Sequence, residues 1–430
     1  METRIVAAKG CFLRFPAFGS AEILVSFRFA VEGTFGDAVP KPLQGISSLD
    51  PSSLRGGLKR VKDIISMRVK SLSLKNFRNY EQATIMPDSG VTIFVGPNAQ
   101  GKTNILEALH LCCLGRSHRT ARDEELIRWG AQSARVGIQT AQQDGTHEVT
   151  ILLDKTQKKK KTVRIGMRQA ERIGELLGHV CGVLFSPEDL SIVKEGPAER
   201  RRFLDMQLSQ LRPQYFYSLQ RAVRTLNQRN TLLKEIAKNP SLLPTLDMWD
   251  EQLAIVGSEI ARNRREAIAV LGEEARKAHA SLTGGREELR LWYVSQTVDA
   301  QDCAEQLLAR LRAARQEDLR RMTTTVGIHR DDMGVTINGK EARTYASQGQ
   351  QRSAVLSLKL AQLEMAARET GEAPILMLDD VMSELDPGRR RQLIERIDRV
   401  QTFVTCTDVS DLAGARQGAV YHVENGRLST

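Results

Sequence analysis

The sequence predicts an α/β fold in which a mixed sheet carries a phosphate-binding loop and is interrupted by an inserted helical arm. Three observations carry this expectation. An apolar strand runs into a glycine-rich loop and a helix near residue 100. A second apolar strand ends in two carboxylates near residue 380. Between them lies a long stretch with helical rather than strand periodicity. A sheet completed by distant parts of the chain accounts for strand character on both sides of the helical block.

Taken in order, residues 1–66 carry no secretory signal, because Arg14, Glu22 and Arg28 interrupt the apolar runs. Met67 opens MRVKSLSLKNFRNY, which reads as the start of a folded domain. Residues 1–66 are therefore expected to be a misassigned translation start or a poorly structured extension. Residues 67–197 are expected to form the N-terminal half of the head. Within them Arg68–Leu74 alternates as a half-buried strand does, and Val91–Val95 is a continuous apolar run. Lys155–Arg164 contains four consecutive lysines and reads as a hairpin tip.

Residues 198–325 are expected to form the arm. Leu219, Val223, Leu226, Asn230, Leu233 and Ala237 follow a four-three spacing, as do Trp249, Leu253, Val256, Ile260, Ala267 and Val270. The intervening KNPSLLP stops helix propagation at Pro240 and Pro244. The pattern predicts a helical hairpin with a short antiparallel coiled coil. Residues 326–430, with GVTING and PILMLDD, are expected to complete the head.

The chain has 430 residues and a net charge of +10, which favours a polyanionic partner. No apolar run approaches the roughly 18 residues of a membrane span. Six scattered cysteines form no Cys-x-x-Cys pair, so neither a zinc site nor a thioredoxin-type motif is suggested. Aromatic residues are only 5%, too few to suggest a stacking platform for single strands. Contacts to phosphates, and hence salt-sensitive binding, are expected instead. The candidates are Lys158, Lys159, Lys160, Lys161, Arg200 and Arg201, with Arg202, Arg264, Arg265 and Arg389–Arg391 as further cations. Arg200–Arg202 also have an alternative use, pairing with Glu188 or Asp189 inside the head.

Gly96, Pro97, Asn98, Ala99, Gln100, Gly101, Lys102 and Thr103 match the P-loop pattern, and Asn104 follows in the helix. Glycines let successive backbone N–H groups curl inward, and the helix N-terminus adds its positive dipole end. Lys102 is expected to bridge the β- and γ-phosphates of a nucleoside triphosphate, and the Thr103 hydroxyl to ligate Mg²⁺. In LMLDD, Asp379 is expected to hold Mg²⁺ and Asp380 to act on the attacking water. Ser347, Gly349 and Gln350 open a further helix, where a hydroxyl and free N–H groups suit an anion.

These parts resemble an ABC-type P-loop ATPase head. SQGQ resembles that class's signature, which contacts the γ-phosphate held by a second head. Ser383 and Asp386 match its D-loop. Thr405-Cys406-Thr407-Asp408 stands where the class usually has a switch histidine, and Thr407 or Asp408 is the candidate substitute. Lys75–Tyr80, GPNAQGKTNILEALHL, Arg116–Arg119, Phe185–Leu190, Pro197–Asp205, His329–Asp332, SQGQQR and LDDVMSELD together resemble the RecF family. The resemblance spans Met67 to about Leu428 and departs at Ile328, where relatives usually carry proline. It implies a cytoplasmic protein that binds ATP with Mg²⁺, binds double-stranded and gapped DNA, and dimerises on ATP. It further implies action with RecR and RecO to direct RecA to gaps, support of the SOS response, and slow hydrolysis that releases the dimer.

Rival readings fit less well. A transporter head is opposed by SQGQ, the missing histidine and the arm. A chromosome-structuring or zinc-hook ATPase is opposed by the short arm and the lack of Cys-x-x-Cys at its turn. A toxin or defence ATPase with a nuclease domain is opposed by the lack of an expected additional domain to carry such chemistry.

Overall fold

A computed structural model describes residues 67–295, 303–397, 400–412 and 417–430. The expectation for residues 1–66 lies outside the described residues. The chain opens with β1 (Arg68–Phe77), β2 (Tyr80–Ile85), β3 (Val91–Val95) and α1 (Lys102–Leu114). It continues with β4 (Ser133–Gln142), β5 (Gly145–Asp154), β6 (Lys161–Ile165), β7 (Arg168–Gln169) and β8 (Gly182–Phe185). Helices follow: α2 (Ser191–Lys194), α3 (Pro197–Leu211), α4 (Pro213–Ile236) and α5 (Leu246–Thr283). After β9 (Leu289–Val294) come α6 (Cys303–Ala313) and α7 (Arg315–Arg321), then β10 (Asp332–Ile337), β11 (Lys340–Glu341) and α8 (Ala342–Tyr345). The chain closes with α9 (Gln348–Thr370), β12 (Ile375–Asp379), α10 (Pro387–Ile397), β13 (Thr402–Cys406), β14 (Gln417–Glu424) and β15 (Arg427–Ser429).

The core sheet has the order β15-β14-β3-β13-β12-β8. Its strands from β14 to β8 are parallel, and β15 is antiparallel to β14, so the sheet is mixed. VTIFV, ILMLD, TFVTC and GVLF are buried along their full lengths, which is why they read as runs and not as alternations. A second, antiparallel sheet of order β2-β1-β4-β5-β6-β7 has one face in the core and one in solvent. There β1 alternates as its sequence does, burying Val69, Leu72 and Leu74. α1 lies in the core these two sheets share. Ile105, Leu106, Ala108, Leu109, Leu111, Cys112 and Cys113 are all buried, so the helix is covered all round.

The distant halves of the chain meet as the strand pattern requires. The Gln401 side chain, just before β13, accepts from Val69 N at 2.6 Å and donates to Val69 O and Asp88 O. The structure thus has the ABC-type head with its mixed sheet and helical arm.

The arm departs from the expected seam in detail. Val223 and Val270 are 49% and 37% exposed, whereas Ala222, Leu232, Leu233 and Ile236 turn inward. The buried stripe of α4 also contains Arg229, a residue that a heptad reading assigns to the surface. At 38 residues, α5 is about 57 Å long and does not stay in the arm. Ile268, Leu271, Ala275, Ala278 and Leu282 join the head core beside α9, as do Phe203 and Leu204 of α3. The 198–325 insertion therefore shares its helices with the head. The Pro240–Thr245 turn between α4 and α5 is a short 3₁₀ helix.

Candidate nucleotide site

The loop between β3 and α1 is shaped by its glycines. A Cβ on Gly96 would lie 2.3 Å from the Val423 carbonyl oxygen, so only glycine allows that approach. Gly101 caps α1 with φ 112°, a left-handed conformation. Pro97, Asn98 and Ala99 are exposed at the mouth of the loop. Lys102 is 4% exposed, and its Nζ donates to Gly96 O at 2.7 Å and Pro97 O at 3.0 Å.

The second half of the pocket comes from the ends of β12 and β13. The Thr103 hydroxyl donates to Asp379 Oδ1 at 2.9 Å, across 276 positions of sequence. The Thr405 hydroxyl donates to the same oxygen at 2.7 Å and accepts from Asp380 N at 2.9 Å. Asp379 is buried, and that desolvation holds its carboxyl above the usual range; the Asp380 and Glu188 charges push the same way, while the two hydroxyls oppose. Asp380 is less buried and takes up φ 52°, a left-handed conformation uncommon for a residue with a side chain.

The loop is also braced from below. Asn79 donates to Gln100 O at 2.8 Å and accepts from Asn104 Nδ2 at 2.8 Å. Tyr80 donates to Gly101 O at 3.1 Å, and Gln100 Oε1 accepts from Asn425 N at 2.7 Å. Beneath them Glu107 of α1 is fully buried and accepts from Nε and Nη2 of Arg78, at 2.8 and 2.7 Å, and from the Ser117 hydroxyl. Arg119 reaches Asn104 Oδ1 at 3.0 Å. The Lys75–Tyr80 and Arg116–Arg119 segments thus act as supports of the loop helix.

The other sequence-predicted residues fall in two groups. Ser347 caps α9 by accepting from Gln350 N, while Gln350 Oε1 accepts from Ser347 N, a reciprocal capping box. Gly349 is half-buried at the same helix start, near Arg389. Arg389 pairs with Asp386 at 2.7 Å, and Asp386 accepts from Gly388 N and Arg389 N to cap α10. Ser383 is exposed and donates to Asp380 O. Among the described residues, no hydrogen bond ties Ser347, Gly349 or Gln350 to the P-loop of the same chain.

Several expectations need correction. Arg200 is 7% exposed and bidentate to Asp332 at 2.7 and 2.8 Å, so it is a structural cation of the fold and not a surface contact for phosphates. Neither of its expected alternatives, Glu188 or Asp189, is its partner; Asp189 is taken by Lys359 at 2.7 Å. Arg264 is likewise buried, against Asp205. Arg201 donates to Asp331 O at 2.6 Å, and Lys159 to Glu171 O at 3.1 Å. Lys160 and Lys161 pair with Glu124 and Asp123. Lys158 is exposed and makes no ion pair among the described residues. Sequence reasoning missed Thr405, choosing the exposed Thr407 and Asp408 instead. The available signal was a hydroxyl following the apolar pair Phe403–Val404 near the end of a buried strand.

A family model described as the RecF/RecN/SMC N terminal domain matches residues 68–429. The chain is 46% identical over 347 residues to the DNA replication and repair protein RecF of Ruminiclostridium cellulolyticum, spanning 80% of this chain and 93% of that protein. A solved structure of the recombination mediator protein RecF-ATPrS in the RecFOR pathway matches with a TM-score of 0.80 at 34% identity, covering 85% of this chain and 98% of that one. The Smc head domain with an extended coiled coil from Pyrococcus furiosus matches with a TM-score of 0.51 at 17% identity, covering 84% of this chain and 95% of that one. This last likeness is one of fold alone.

Proposed function

This chain belongs to the RecF family, and from that premise we propose that it is an ATP-dependent DNA-binding protein of recombinational repair and replication-fork recovery. In this reading it binds DNA at single-strand gaps, dimerises on ATP, works with RecR and RecO to load RecA, and supports the SOS response in the cytoplasm. The observation that carries the reading is the hydrogen bond from Thr103 to Asp379, which makes one pocket of two distant motifs. No helix among the described residues is long and apolar enough to cross a membrane.

The residues fit a magnesium nucleotide. Thr103 Oγ1 and Asp379 Oδ1, 2.9 Å apart, form a hard oxygen donor set, and among the described residues Asp379 is a buried carboxylate held only by neutral hydroxyls. Mg²⁺, when bound there, supplies charge neutralisation for the phosphates. Gly96–Thr103 offer backbone N–H groups at a helix start, with Asn104 behind them, and Lys102 is free of any carboxylate partner among the described residues. Lys102 exchanges its loop carbonyls for phosphate oxygens. Asp380 orients water and accepts its proton. Ser347, Gly349 and Gln350 of a second copy close the pocket, with Ser383 and Asp386 along the seam. The exposed, capped start of α9 and its lack of same-chain P-loop contacts support that use. Hydrolysis is slow and releases the dimer.

Two substitutions test the assignment. Lys102→Met is expected to lower ATP affinity at least about 100-fold and to prevent ATP-driven association. Asp380→Asn is expected to keep ATP binding and to trap the dimer on DNA. Normal hydrolysis by Asp380→Asn would remove Asp380 from its role.

A further inference from the structure

The solvent face of the antiparallel sheet carries a group of cations that the nucleotide pocket does not use. Lys75 of β1 lies directly opposite Arg135 of β4. Both are exposed, and the same row continues into Gln82 on one side and Leu152 and Thr162 on the other, with no carboxylate. Like charges set opposite each other across strands destabilise a sheet, so this pair is placed at a cost. The next row on that face reads Thr84, Ser73, Gly137, Thr150 and Arg164. Its floor is low, because Gly137 has no side chain and a Cβ there would meet Ser73 Oγ at 2.7 Å.

Lys75, Arg135 and Arg164 make no ion pair among the described residues. The nearest carboxylates on this face leave them free. Asp154 accepts from Thr156, and Glu148, a row beyond Arg164, makes no ion pair among the described residues either. From strand and residue spacing, Lys75 and Arg135 stand about 5 Å apart at the backbone and Arg164 about 12 Å from Arg135. That span corresponds to roughly three or four phosphates along one DNA strand. Lys158 stands at the β5–β6 hairpin tip near the Lys75–Arg135 end.

We propose that this sheet face is the seat of the DNA backbone, with Lys75, Arg135 and Arg164 contacting successive phosphates. The proposal rests on the DNA-binding reading above. It also links the two sites, because Lys75 lies on the strand that leads into Arg78 and Asn79, the supports of the nucleotide loop.

The test is a salt titration of the full chain with ATP on a gapped duplex, from about 50 to 200 mM salt. K75Q/R135Q/R164Q is expected to lower the slope of log K against log salt by about 2 to 3 and to weaken binding at least about tenfold at 100 mM. R221Q/R224Q/K234Q on α4, which also removes exposed cations, is the charge-matched control and is expected to keep the slope. An unchanged slope in the sheet variant, with wild-type binding intact, overturns the location. A wild-type chain that binds no DNA overturns the DNA-binding reading, and the location with it. If the triple variant does not fold, judged by its far-UV spectrum, R135Q alone is expected to lower the slope by about 0.9, and no change there overturns the location equally.

Discussion

In the arm, Arg229 is fully buried and meets two equally buried carboxylates, Asp250 at 2.6 Å and Asp318 at 2.7 Å. In the head, among the described residues, Lys102, 4% exposed, meets only carbonyl oxygens, while Asp379, at 5%, meets only hydroxyls. Both regions have taken charge out of water. The arm has neutralised it internally, so α4, α5 and α7 are held together and nothing more is asked of the site. The head has left one cation and one anion without countercharges, and each still gains by meeting an ion of opposite sign. Buried charge that is paired marks structure, and buried charge with only neutral partners marks the place where a ligand completes the fold.

The difference can be broken first by deleting a cation from each region. Arg229→Ala leaves buried Asp318 without its cation and Asp250 with Arg315 alone, and is expected to cost about 3 to 5 kcal/mol in thermal or denaturant unfolding. Lys102→Met leaves no carboxylate behind and is expected to change stability by less than about 1 kcal/mol, despite its effect on ATP. Equal losses in the two variants would erase the distinction. Ser347→Ala lies between them: it removes a helix cap and is expected to cost about 1 kcal/mol, while abolishing ATP-driven association.

A finer test uses acidity. Burial raises the Asp379 carboxyl, so on acidification it takes up its proton at a higher pH than an exposed aspartate. The neutral form is the one the fold prefers, so protonation relieves a local penalty and does not unfold the head. The same proton removes the anion that holds Mg²⁺. Affinity for a magnesium nucleotide is therefore expected to begin falling, on acidification, at a higher pH than that at which an exposed aspartate takes up its proton. Asp379→Asn is expected to bind weakly whatever the pH and to melt slightly higher than the native chain. A nucleotide affinity indifferent to pH in the native chain would contradict the assignment.

Much of the head was legible because its signals are local. An apolar run, a glycine loop and a carboxylate pair each declare themselves within ten residues, and each lies where its pattern indicates. What escaped were side-chain partnerships fixed only by tertiary packing. Nothing near Arg200 in sequence indicates Asp332, 132 positions away. Glu107 looks like an exposed helix residue until Arg78 and Ser117 close over it. Thr405 acquires its role because β13 lies beside β12. The arm was misread at Val223 because a buried, paired Arg229 rotates the stripe that a purely apolar heptad would present.

Sedimentation velocity of the purified chain, with and without ATP and Mg²⁺, tests the central claim most directly. A pocket built from Thr103 and Asp379 in one copy and closed by Ser347 of another predicts a monomer without nucleotide and a dimer with it. A single species of unchanged mass under both conditions would contradict the account.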